Sequence, residues 1–154
     1  MTVTLRPLGG DEFDAWRSRS EAEYARSMID HGGLAEDAAR AKATTDFATL
    51  LPDGVATDGH DVFVIDDGGP VGSLWVCERA NDTGRSLFVY ELFVVAQVRG
   101  RGVGRTAMML AEDEARRRGL DTVTLNVFGG NEPARGLYRA LGYDETAVFM
   151  TKGL

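Results

Sequence analysis

The 154 residues suit one globular domain and are 44% hydrophobic and 27% charged. This balance excludes a disordered tail, a collagen-like repeat and a disulfide-built miniprotein. Cys77 is the only cysteine, and His31 and His60 are the only histidines, so neither an internal disulfide nor a metal centre is expected. The net charge of -7 argues against a nucleic-acid partner, because the only basic clusters, Arg99/Arg101/Arg105 and Arg116/Arg117/Arg118, are small.

In chain order, alternation over residues 2–8 predicts a strand that ends at Pro7 and Gly9-Gly10. Phe13, Trp16, Tyr24 and Met28 recur at helical spacing over residues 11–28, and a second helix covers 34–51 after Gly32-Gly33. Strands at 61–65 and 71–77 flank Asp66-Asp67-Gly68-Gly69 as a hairpin. A long strand follows over 86–96, then a glycine-rich loop over 97–104 and an amphipathic helix to residue 118. A strand at 122–128, a helix at 132–141 and a closing strand at 143–151 complete the pattern, an α and β mixture around one sheet.

The sharpest local signal is Arg99-Gly100-Arg101-Gly102-Val103-Gly104-Arg105, set between an apolar strand and a helix. Three glycines let successive N–H groups converge, and the helix adds its positive end, making an anion cradle. The alternative is a strand-to-helix turn that binds nothing. A nucleoside-triphosphate loop is excluded, because Gly100 and Gly104 are four apart and Arg105-Thr106 follows where Lys-Ser/Thr is required. Residues 102–107 match a dinucleotide fingerprint, but the chain beyond Phe128 is too short for the βαβ units that fingerprint should open.

Read with its flanks, Arg99-x-x-Gly102-x-Gly104 behind Tyr90-Glu91-Leu92-Phe93-Val94 resembles the acetyl-CoA motif of the GNAT superfamily of acetyltransferases. Leu125-Asn126-Val127-Phe128-Gly129-Gly130-Asn131, with Ala134, Leu137-Tyr138 and Leu141-Gly142-Tyr143, is similar to that family's second cofactor motif. Strict likeness covers residues 87–143, and the element order agrees over nearly the whole chain. The resemblance implies an α/β (α+β) single-domain fold over residues 1–154. Its central sheet would be mixed, mostly antiparallel, with six to seven strands and about four flanking helices, strands four and five being splayed.

The resemblance also implies an acetyl-CoA-dependent N-acetyltransferase acting on a primary amine by direct transfer in a ternary complex. Leu92, Phe93 and Val94 would pair with the pantetheine arm, the Val94 N–H polarising the thioester carbonyl. Gly100, Gly102, Val103 and Gly104 would hold the pyrophosphate, with Arg99, Arg101 and Arg105 adding charge or standing in solvent. Tyr138 would protonate the departing thiolate, and Glu91 would act as base, directly or through water. The alternatives are a packed aromatic for Tyr138 and a solvent-facing strand glutamate for Glu91. Asn126 stands where some relatives carry a glutamate base, and as an amide it accepts no proton at neutral pH; it and Asn131 would bond the cofactor.

Residues 11–61 hold twelve acids against five bases, which favours a cationic acceptor, with plain solubility as the alternative. No apolar run approaches the ~20 residues of a membrane span, and residues 1–10 lack the order of a secretion signal. A cytoplasmic protein without a membrane partner is therefore expected, with a homodimer as a common family arrangement. A non-catalytic acyl-CoA-binding module is the competing function. Trp16, Tyr24 and Trp75 are expected to pack in the core rather than line an acceptor pocket.

Overall fold

The computed structural model describes residues 2–154. Strand β1 (Thr4–Pro7) leads through a short 3-10 turn into α1 (Phe13–Asp30) and α2 (Glu36–Leu50). Strands β2 (His60–Asp66), β3 (Pro70–Asn81) and β4 (Gly84–Val94) follow, then α3 (Val103–Arg117), β5 (Val123–Leu125) and α4 (Glu132–Ala140). The sheet has five strands in the order β1-β2-β3-β4-β5. The first three pairings are antiparallel and β4-β5 is parallel.

Strand alternation sends side chains to two cores. On one face Ile65, Leu74, Val76, Leu87 and Val89 pack against Val103, Ala107, Met108 and Ala111 of α3. On the other, Val62, Val64 and Trp75 pack against Phe13, Trp16 and Phe47 of α1 and α2. A β-bulge interrupts the β3-β4 ladder, since Val76 opposes Val89 while Trp75 opposes Glu91, leaving Tyr90 as the extra residue. The bulge resets the alternation. Leu92 and Val94 return to the α3 core, whereas Glu91 and Phe93 meet α1.

Three expectations are corrected. The sheet has five strands rather than six to seven, and residues 143–151 form no strand. The edge on which a closing strand would pair is only the three residues of β5, too short a template to offset the ordering of a nine-residue segment. Contacts of Arg135 and Arg139 with Glu145 restrain the start of that segment, and Val148, Phe149 and Met150 stand exposed. The strand expected at 122–128 is likewise cut to Val123–Leu125.

Candidate active site

The splay lies between β4 and β5. Their pairing covers only Leu87–Val89 and Val123–Leu125, while β4 continues to Val94 with no neighbour on that side. Val95 N–H donates to Val71 O at 2.9 Å, so by alternation the Val94 N–H and C=O point into the gap. Arg99 Nε donates to the Val94 carbonyl at 2.8 Å, which leaves the Val94 N–H as the group available to an incoming acceptor oxygen. Gly72 permits this arrangement. A Cβ there would overlap the Phe93 carbonyl oxygen and lie 3.1 Å from its carbon.

The glycine loop ends at the mouth of the same gap. Gly102 caps α3 with φ +82°, a conformation that suits glycine and strains other residues. Thr106 N–H returns to Gly102 O at 3.0 Å, so the N–H groups of Val103, Gly104 and Arg105 precede the first intrahelical bond and are open to an anion. Arg99, Gly100, Gly102 and Arg105 line the cleft, but Arg101 does not. Arg101 lines a separate pocket of about 310 Å³ beside Asp67 and Val3.

Across the gap, Tyr138 sits half-buried on α4 and meets Tyr143 edge-on at 5.9 Å. Burial raises the Tyr138 phenol above its ordinary value, keeping it protonated. Tyr143 is held by donation to Glu112 Oε2 at 2.9 Å, and burial with that carboxylate raises its pKa further still. Asn126 is exposed in the cleft. Asn131 caps α4, its Oδ1 accepting from Ala134 N–H at 3.3 Å, which leaves its amide N–H₂ and one Oδ1 lone pair for a ligand.

Glu91 does not face solvent, its side chain being 13% exposed. Its Oε1 accepts from Ser73 Oγ at 2.5 Å, Trp16 Nε1 at 3.1 Å and Arg19 Nη2 at 3.3 Å. Its Oε2 accepts from Ser20 Oγ and, at 3.4 Å, from Arg19 Nη2. The Arg19 guanidinium also lies 3.8 Å above the Phe93 ring. These four partners escaped sequence reasoning because they lie 18 to 75 positions away from Glu91. The one available signal was that Trp16 and Ser20, at i,i+4, put polar groups on the buried stripe of a helix. Trp16 packs in the core as expected; Trp75 packs there but also lines the cleft, as does Tyr24, which lies against the same core and donates to Asp46 at 3.1 Å.

The sequence model of the acetyltransferase (GNAT) family matches residues 21–143, which hold the gap, the glycine loop and Tyr138. The chain belongs to this family. It is 29% identical to the uncharacterized N-acetyltransferase YycN of Bacillus subtilis, over all of both chains. The crystal structure of YycN superposes with a TM-score of 0.92 at 28% identity, covering 99% of each chain. A mycothiol acetyltransferase of Beutenbergia cavernae is 32% identical over 97% of this chain but 48% of its own length. An acetyltransferase of Clostridium acetobutylicum, solved with acetyl-CoA, shares the fold with a TM-score of 0.67 at 16% identity, over 99% of this chain and 96% of that one.

The protein is thus an acyltransferase of the N-acetyltransferase type, and acetyl-CoA and an acceptor are the substrates its family uses. Its residues fit the donor. An open helix N-terminus suits phosphate, and the unpaired side of β4 suits an extended amide chain. Among the described residues, no helix is long and apolar enough to cross a membrane.

Proposed function

We propose that this acetyltransferase moves the acetyl group of acetyl-CoA directly onto a primary amine while both substrates are bound. The observation that carries the reading is a single continuous cleft. It runs from Gly102 and Gly104 through the β4-β5 gap to Ser20 and Tyr24 of α1 and Asp46 of α2.

Leu92, Phe93 and Val94 hold the pantetheine arm by strand addition, and the N–H groups of residues 103–105 hold the pyrophosphate with Arg99, Gly100 and Arg105. Arg101, turned to its separate pocket, is left out of that set. The Val94 N–H stabilises the oxyanion formed as nitrogen attacks the thioester carbon. The C–N bond forms, the C–S bond breaks, and the Tyr138 hydroxyl gives its proton to the departing sulfur. Attack makes the nitrogen's remaining N–H strongly acidic, so the Glu91 carboxylate suffices as the base.

Glu23 lines the helix side of the cleft, which supports a cationic acceptor; Asp46 lines it too but is paired with Lys42 at 2.8 Å. Asn126 and Asn131 line the cleft, which supports their bonding the pantetheine or the acceptor. The reading includes a homodimer, for which exposed Val148, Phe149 and Met150 are the candidate contact, and the cytoplasm, where the unpaired Cys77 thiol stays reduced.

The test is an initial-rate matrix in acetyl-CoA and the best amine from a panel of polyamines, aminoglycosides, amino acids and peptides. Intersecting reciprocal plots are expected. Parallel plots, with an acetylated enzyme detected by mass, would replace direct transfer by a covalent route.

A further inference from the structure

Glu91 is reached unevenly by its four partners. Trp16, Arg19 and Ser73 stand outside the cleft lining, whereas Ser20 and Glu91 both belong to it. Ser20 is 3% exposed, and its hydroxyl makes one hydrogen bond, to Glu91 Oε2. Oε1 takes Trp16, Ser73 and Arg19, and Oε2 takes Ser20 and the more distant Arg19, so Ser20 is the partner of Glu91 that also lines the cleft. A serine hydroxyl carries one donor and two acceptor lone pairs. With its hydrogen committed to Glu91, Ser20 presents only acceptor capacity to an amine in the cleft.

We infer that Ser20 is the proton relay of this enzyme, lying between the acceptor nitrogen and Glu91. As the C–N bond forms, an N–H proton passes to Ser20 Oγ while the Ser20 hydroxyl proton passes to Glu91 Oε2. The products are a neutral amide nitrogen, an unchanged serine and a protonated Glu91, which returns its proton to solvent. Arg19, Trp16 and Ser73 act as positioning residues that fix the carboxylate against Ser20. The inference rests on Glu91 being the base, and the experiment separates the two claims.

Ser20→Ala, Ser20→Thr and Glu91→Gln are compared with the wild-type protein, using the best amine of the panel above, in H₂O and in D₂O. Acetyl-CoA binding is measured alongside. Ser20→Ala should lower kcat about 10- to 100-fold, leave the acetyl-CoA Kd unchanged and flatten the solvent isotope effect. Ser20→Thr, which keeps a hydroxyl, should restore most of the rate. A core that merely lost packing would show neither the isotope change nor the threonine rescue. Wild-type turnover in Ser20→Ala with an inactive Glu91→Gln overturns the relay and leaves Glu91 as base. Wild-type turnover in Glu91→Gln, or no acetylation of any amine in the panel, overturns both.

Discussion

Gly72→Ala probes how tightly β3 controls the catalytic strand. The new Cβ would overlap the Phe93 carbonyl oxygen and lie 3.1 Å from its carbon and 3.2 Å from Ile65 Cδ1. Carbon and carbonyl oxygen normally approach to about 3.3–3.6 Å, and two of the three close atoms are backbone, so β3 and β4 must part by about an ångström. Such overpacking costs about 1–3 kcal/mol, which for a domain of this size lowers Tm by roughly 2–4 °C per kcal/mol. The same shift would move the adjoining Val94 N–H, the proposed oxyanion donor. A displacement of about 1 Å at a reacting centre costs up to about 100-fold in rate. Gly136→Ala in α4 is the control, since its Cβ meets nothing within 4 Å; it should raise stability by about 0.4–1 kcal/mol. Thermal melts and kcat of the two variants provide the comparison. If Gly72→Ala melts and turns over like the wild-type protein, the close β3-β4 approach does not set the position of Val94.

Tyr138→Phe should lower kcat about 100-fold or more while the acetyl-CoA Kd, measured by calorimetry, stays the same; full turnover would remove Tyr138 from the chemistry. Gly102→Val should raise that Kd at least tenfold, because valine strains a φ of +82° at the cap of α3, and unchanged affinity would contradict the phosphate assignment. The pH-rate profile should rise from neutral pH as the amine acceptor loses its proton. Burial raises the Tyr138 pKa, so the protonated phenol persists and the alkaline fall should lie above about pH 10. A fall below pH 9 that vanishes in Tyr138→Phe would reverse the sign of that shift.

The glycine loop was readable from the chain because its geometry is local. Left-handed Gly100 and Gly102 leave a residue-type signature, and the helix that follows has an apolar stripe. The bulge at Tyr90 was not readable. Residues on both sides of it are apolar, so a shift of alternation by one place leaves no trace in Phe88-Val89-Tyr90 and Leu92-Phe93-Val94. Glu91 drew notice as a charge in that run, but its environment is built by Trp16, Arg19, Ser20 and Ser73, contacts that only the tertiary fold creates. Residues 143–151 show the converse. Their apolar run Ala147-Val148-Phe149-Met150 suits a strand, yet pairing requires a neighbouring edge, and β5 presents three residues. Arg101 stands with Arg99 and Arg105 along the chain, yet it lines the pocket beside Asp67 while they line the cleft, a difference that only the folded loop creates.

The most direct test of acetyl transfer to an amine is release of free CoA from acetyl-CoA, followed by mass spectrometry across polyamines, aminoglycosides, amino acids and peptides. Mass detection avoids thiol dyes, which would also report Cys77. The expected result is amine-dependent CoA release matched by an equal amount of product bearing one acetyl group on nitrogen, with cationic amines leading. Acetyl-CoA that binds without amine-dependent release would contradict catalysis and leave an acyl-CoA-binding module.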